Sequence, residues 1–182
     1  MAHLLFIVHV AEAEPYVAEL RSRFDPSATR GLPAHVTLLH APLPAGGIDP
    51  SVIGQVSAAI GSMAPFSYQL TRVARFPGTV YLAAEPTAPF AWLHDRLATA
   101  MMAGSPENSE RRAFVPHVSV VRKSQVDDYE VESELSAVLQ RVGPIDCACH
   151  MIGLFENSSG SWHPVHAFAL TGGTGSPAPA PF

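Results

Sequence analysis

The sequence predicts an α+β fold made by duplication: two pseudo-symmetric lobes, each an antiparallel sheet with helices on its outer face, around a central cleft. Three observations carry this. A strand–helix–loop–strand order occurs twice. The matching pairs Pro65-Phe66 and Pro144-Ile145, and then Phe76 and Phe155, are each separated by 79 positions. His35 and His117 are 82 apart, and each follows a proline-bearing loop and precedes valine and a hydroxyl residue. A period this long suits a two-lobed domain rather than a solenoid.

The elements follow in order. Residues 3–10 (HLLFIVHV) are dense in β-branched and apolar types and read as a buried strand. Tyr16, Val17, Leu20 and Phe24 have helical spacing, with Pro15 tolerated in the first turn. Pro26, Gly31 and Pro33 make 25–34 a loop, and HVTLLH (35–40) alternates as a strand. Residues 50–63 read as a second helix, and 66–76 and 79–85 as a hairpin turning at Pro77-Gly78. The second half gives a helix over 89–102, a polar loop over 104–113, a strand over 117–123 and a helix over 127–141. Two closing strands occupy 145–156 and 163–170. The repeats therefore cover approximately 3–85 and 79–170 of one domain spanning 1–171, and 172–182 has the composition of a flexible tail that packs nowhere.

Composition narrows the function. The chain has 182 residues, 47% of them hydrophobic and 15% charged, which allows a substantial core. No apolar run approaches the ~20 residues of a membrane span, and no signal peptide is read at the start. Cys147 and Cys149 are two apart, too close to bridge readily, so a reduced, cytoplasmic protein is the expectation. Eleven basic residues against 16 acidic ones give a net charge of −5. A protein that grips long nucleic acid carries a basic surface, so short strand ends or small phosphates fit better.

In a strand, i and i+2 share a face. His35 and Thr37 therefore face one way, with Val36 and Leu38 behind them, and His117 and Ser119 repeat the pattern. Two imidazoles and two hydroxyls across one cleft suit phosphoryl transfer at a diester. One imidazole takes the proton of the attacking oxygen, the other protonates the leaving oxygen, and the hydroxyls bond the non-bridging oxygens. Neither a metal nor a cofactor is required. Arg122 lies five positions after His117, on the opposite face by simple alternation; a bulge would return it to the phosphate, and otherwise it is a solvated strand-end charge. Lys123 shares the parity of His117 but falls beside the next turn. His40, five after His35, reads as a strand-end residue. Arg72 and Arg75 line the cleft or decorate an outer face, and Tyr81 and Trp162 stack a base or belong to core or rim. The spacing of Cys147, Cys149, His150, His163 and His166 does not match a closed zinc site.

The segments P-A-His35-V-Thr37-L and V-P-His117-V-Ser119-V resemble the paired His-x-Thr/Ser-x signatures of the two-histidine (2H) phosphoesterase superfamily, which includes 2′-5′ RNA ligase-like proteins and cyclic phosphodiesterases. The resemblance covers roughly residues 3–170, with Ser119 standing where threonine is commoner. It implies two α+β lobes around a cleft, His35 and His117 as catalytic residues, and opening of 2′,3′-cyclic phosphates or cleavage of 2′-5′ linkages. The expected substrates are RNA ends or small cyclic nucleotides, handled by a monomer that does not bind membranes. Two other readings stay open: RNA-end joining by a 2′-5′ ligase, and a nucleotide-binding module without catalysis.

Overall fold

In a computed structural model of the chain, residues 2–101, 114–122 and 128–173 are described. Their elements follow the predicted order: β1 (His3–His9), α1 (Glu14–Phe24), β2 (His35–Pro42), α2 (Pro50–Ile60), β3 (Phe66–Phe76), β4 (Thr79–Glu85), α3 (Ala88–Met101), β5 (His117–Arg122), α4 (Asp128–Val142), β6 (Ile145–Cys149), β7 (Met151–Glu156) and β8 (His163–Ala169). The polar loop expected at 104–113, Lys123 and residues 174–182 lie outside the described residues.

Local chemistry explains the boundaries that matter. Pro50 occupies the first turn of α2, where its missing N–H costs nothing, and Asp49 caps it by accepting from the Ser51 N–H at 2.7 Å. The β3–β4 hairpin turns on Pro77 and Gly78; Gly78 takes φ 72°, a conformation that favours glycine.

Every strand pair is antiparallel, but the two expected sheets are one. The order β6-β3-β4-β5-β2-β1-β7-β8 joins the lobes at β2 and β5, through the single register pair Val36–Val118. Those valines are themselves duplicates, so the pseudo-two-fold axis passes through their pairing. The predicted strand 145–156 also divides. Its first part, β6, pairs with β3, whereas β7 pairs with β1 in the other lobe, and His150 lies between them. Across His150 the core-facing residues change from Ile145, Cys147 and Cys149 to Ile152 and Leu154, so the parity slips by one where the partner changes.

The helices share one face of this sheet. Leu4, Phe6, Val8, Val36, Leu38, Leu82, Val118 and Val120 of the strands meet Leu20, Ile60, Leu93 and Leu135 of the four helices in one continuous core. The helix α1 packs against β5 and α3 against β2, so each lobe's motif strand is backed by a helix that precedes its own partner in sequence. On the opposite face, Leu5, Ile7, Leu32, Phe155 and Trp162 form a smaller cluster over the β1/β7 half. Thr171 and Gly172 are anchored, the latter at the first residue of the segment whose composition reads as a flexible tail. Gly172 N–H donates to Met63 O at 3.0 Å, and Thr171 Oγ1 donates to Gly61 O at 2.8 Å.

A buried ion pair ties α1 to the loop that delivers β2. The Arg21 guanidinium donates to Asp25 Oδ2 at 3.0 and 3.3 Å and to Leu32 O at 3.1 Å. Asp25 Oδ1 accepts from the Ser27 N–H and hydroxyl at 2.9 and 2.7 Å. Both side chains are at most 2% exposed, so neither charge has water to fall back on. Removing one partner of such a pair costs about 3–5 kcal/mol, far more than the pair is worth against apolar replacements. Arg21→Met is therefore expected to lower unfolding free energy by about 3–5 kcal/mol in a urea titration, and Arg21→Met/Asp25→Leu to recover most of it. A single variant within about 1 kcal/mol of the parent would show that the pair does not hold this loop.

Candidate active site

The register of β2 and β5 builds the site. Val36 and Val118 pair and are fully buried on the helix face, so the residues beside them point the other way. Antiparallel pairing at this point sets His35 opposite Ser119 and Thr37 opposite His117. The ladder does not extend beyond that pair, which leaves the four side chains on one open face about the pseudo-two-fold axis.

Each imidazole is held in the same way. His35 Nδ1 lies 2.7 Å from Pro33 O, and His117 Nδ1 lies 2.7 Å from Val115 O. A carbonyl only accepts, so Nδ1 carries the proton in both rings and Nε2 is the nitrogen left for chemistry. The backbone beneath is fixed by a second matched pair of bonds: Val10 N–H to Ala34 O at 2.8 Å and Ala84 N–H to Pro116 O at 3.1 Å. In the first lobe Glu14 Oε1 also accepts from the Ala34 N–H, at 2.6 Å.

Arg122 reaches this face through a bulge. Ile7 pairs with Thr37 and Phe6 with Leu39, leaving Leu38 as an extra residue; Tyr81 pairs with Ser119 and Val80 with Val121, leaving Val120 as its duplicate. Leu5 and Ile7 share a face, so their partners His40 and Thr37 do too. By the same register Thr79 and Tyr81 bring Arg122 onto the face of Ser119. Simple alternation placed Arg122 on the other side; the bulge corrects it. Arg122 is exposed, and among the described residues it has no ion-pair partner. Its charge is felt at His35, His40 and His117.

The two histidines differ in setting. His35 is 5% exposed, and burial pulls its pKa down to about 4; the Pro33 carbonyl works the other way, and the Arg21 charge adds to the lowering. His117 is half-buried and is lowered by burial and by Arg122, opposed by the Val115 carbonyl. Both rings are thus neutral at pH 7 with Nε2 able to accept a proton.

Beside them lies a cavity of about 1050 Å³ lined by Thr37, His40, Phe76, His94, Phe114 and His117, among others; among the described residues its lining includes no carboxylate. Sequence reasoning missed Phe76, His94 and Phe114. His94 sits on α3 next to the apolar stripe of Phe90, Leu93 and Leu97, and nothing local reveals that α3 crosses β2. There His94 Nδ1 donates to Leu38 O, on the bulged residue, at 2.7 Å, and its ring stacks on Phe114 at 4.6 Å. Tyr81 and Trp162, the sequence candidates for stacking, are buried at 5% and 9% exposure. Arg72 pairs with Glu85 at 3.6 Å, and Arg75 with Glu132 at 3.7 Å over the Tyr129 ring, so neither is committed to the cleft. Cys147 and Cys149 are free thiols raised to about 12, chiefly by burial, and among the described residues no cluster of three or more His, Cys, Asp or Glu stands together.

The sequence matches the 2′-5′ RNA ligase superfamily over residues 9–161, most of its length. The chain belongs to that superfamily. Within it, a Bacillus licheniformis protein named "Putative phosphoesterase" is 26% identical over 155 residues, covering 82% of this chain and 87% of its own. The fold is shared with TT0787 of Thermus thermophilus (TM-score 0.66, 20% identity, 94% of this chain and 99% of that one). It is shared also with Escherichia coli LigT crystallised with 3′-AMP (TM-score 0.60, 19% identity, 93% and 98%). The superfamily assignment and the name of the relative agree with a phosphoesterase-type enzyme.

The depressed pKa of His35 has a consequence for stability. Between pH 6.5 and about 4 the unfolded chain takes up a proton at this imidazole and the folded chain does not, so stability falls as pH falls through that window. The contribution is at most about 3 kcal/mol. Denaturant unfolding at pH 7 and pH 4.5 should show a smaller loss in His35→Gln than in the parent. Equal losses would mean that His35 titrates normally.

Proposed function

We propose that this member of the 2′-5′ RNA ligase superfamily is a metal-independent phosphodiesterase that opens 2′,3′-cyclic phosphates, on RNA ends or small nucleotides, by two-histidine acid–base catalysis. The observation that carries the reading is the matched pair of imidazoles, each with Nδ1–H tied to the carbonyl two residues back, flanked by Thr37, Ser119 and Arg122 on one face. Tied in this way, each ring offers Nε2 and nothing else.

The chemistry runs as an in-line displacement. One neutral Nε2 accepts a proton from water as its oxygen attacks phosphorus. The other ring, protonated, gives its Nε2 proton to the ribose 3′ oxygen as the P–O3′ bond breaks, leaving a 2′-phosphate. Thr37 and Ser119 donate to the non-bridging oxygens, and Arg122 offsets the charge that builds on them. The anionic substrate supplies the missing proton affinity: a phosphate beside two depressed imidazoles raises their pKa values on binding. The net charge of −5 supports short substrates, whose phosphate meets Arg122 rather than a broad basic surface.

Turnover of adenosine 2′,3′-cyclic phosphate in EDTA tests this directly. His35→Ala and His117→Ala should each lose about 10²–10⁴-fold in kcat, and Arg122→Ala about 10²-fold in kcat/KM. No turnover by the parent, or variants that match it, would overturn the reading. Salt-sensitive RNA binding with end joining and no hydrolysis would favour the ligase instead.

The pH profile carries a separate expectation. The base form of one ring is lost below about pH 4 and the acid form of the other above its own lowered value, so kcat/KM should be bell-shaped with its optimum below pH 6.5. This lies to the acid side of the near-neutral limbs that unperturbed histidines give. The kcat profile should lie further alkaline, because bound phosphate raises both values. A kcat/KM profile flat from pH 4 to 8 would remove both histidines from proton transfer.

A further inference from the structure

Two imidazoles account for the proposed chemistry, and a third is held in the same way. His94 Nδ1 donates to Leu38 O at 2.7 Å, the distance at which His35 meets Pro33 O and His117 meets Val115 O. A carbonyl only accepts, so in the neutral ring the proton sits on Nδ1 and Nε2 keeps its lone pair. His94 comes from neither motif strand. It stands on α3 one residue past Leu93 and four past Phe90, at the border of the buried stripe, where α3 packs against β2.

The least that His94 does is satisfy the carbonyl of the bulged residue, and this uses one nitrogen of two. The other, Nε2, has no hydrogen-bond partner among the described residues, yet it is not one of their buried polar atoms left without a partner, so it is accessible. The residue lines the cavity that Thr37, His40 and His117 also line. Phe114 stacks on its ring, with centroids 4.6 Å apart and 17° between planes. One edge is thus fixed by a hydrogen bond and the plane by a second ring, so Nε2 has little freedom left to lose when a ligand meets it.

A lone pair fixed on a cavity wall selects a donor. A phosphodiester anion offers only acceptors, so this atom does not suit the phosphate itself. Leu38, whose carbonyl anchors the ring, directly follows Thr37, so the group within reach is the one that carries the phosphate. In a 2′,3′-cyclic nucleotide that group is ribose, and with O2′ and O3′ both esterified its remaining hydroxyl is at 5′.

We infer that His94 is a substrate-binding residue whose Nε2 accepts a hydrogen bond from the 5′ hydroxyl of the sugar bearing the cyclic phosphate. The inference rests on the phosphodiesterase reading and deepens it, by making the sugar a determinant of binding alongside the phosphate. It also ranks the two substrate classes. The last nucleotide of an RNA strand has its 5′ oxygen esterified and lacks the donor, so a free cyclic nucleotide is the better ligand.

Calorimetry with base-free probes tests this without turnover: inorganic phosphate, methyl β-ribofuranoside 2-phosphate and the 5-deoxy analogue of that sugar phosphate. The parent should bind the sugar phosphate about fivefold more tightly than its 5-deoxy analogue, the worth of one hydrogen bond. This arm needs no variant. His94→Asn keeps an N–H near the place of Nδ1 for Leu38 O but has no acceptor reaching as far as Nε2. It should abolish the fivefold difference while leaving the affinity for inorganic phosphate and the thermal unfolding midpoint unchanged. Equal affinities of the parent for the two sugar probes, or a difference that survives in His94→Asn, would overturn the inference. An equal loss for inorganic phosphate would also overturn it, by making His94 a support for the bulge alone. Hydrolysis of 2′,3′-cyclic phosphates is scored separately. A His94-dependent preference for the 5′ hydroxyl without hydrolysis would keep the inference and remove the phosphodiesterase reading; hydrolysis with no such preference would do the reverse.

Discussion

The pairing of Val36 with Val118 is the constraint on which the remainder of the structure depends. It is the only register pair between β2 and β5, and it joins two four-strand halves into one sheet. Because the paired residues are duplicates, the contact must lie on the symmetry axis, and whatever flanks one valine flanks the other in mirror order along the strand. A histidine before and a hydroxyl after each valine therefore yields an alternating square of two imidazoles and two hydroxyls. Were the ladder to continue, backbone bonds would draw the strands together and fill the space between those side chains. Its stopping after one pair leaves that space open to a phosphate.

The bulges at Leu38 and Val120 are the second device, and they solve a problem of parity. A regular strand can present only every other residue to the cleft, so His117 and Ser119 would be followed by residue 121. Inserting one residue turns both Val120 and Val121 into the core and brings Arg122 out on the site's side. The duplicate bulge does the same for His40. The first bulge leaves Leu38 without a ladder partner, and its carbonyl is met by His94 from α3. Thus one bulge sets a cation beside the dyad, and its duplicate meets the helix that walls the adjacent cavity.

Much of this was legible in the residues. Periodicity located these helices and strands except for the division of 145–156 into β6 and β7, and the 79- and 82-residue spacings exposed the duplication because they compare positions that face the same physical demands. His35 and His117 stood out for the same reason: each repeat frames its own. The rest was not legible because it depends on pairing across long separations. The break at His150 slips the core-facing parity by one, but Met151 and Phe155 keep the run after it apolar on either parity, so 145–156 reads as one strand. The bulges add one residue to a run that is apolar on either reading, so Leu38-Leu39 and Val120-Val121 look like ordinary core. Phe76 was used as a marker of the repeat and not as a site residue, since nothing local shows that its ring meets those of Tyr81 and His117.

Duplication makes the two histidines interchangeable on paper; the environments do not. Both rings are fixed by identical backbone bonds, so neither orientation nor tautomer distinguishes them. Desolvation does. His35 lies under the loop pinned by Arg21 and Asp25, and its pKa falls to about 4, whereas His117 borders the open cavity and the Phe76 ring. On the first-lobe side Leu32 and Trp162 lie against Leu5, Ile7 and Phe155. Burial lowers the pKa of both rings, but of the two only His117 lines the cavity.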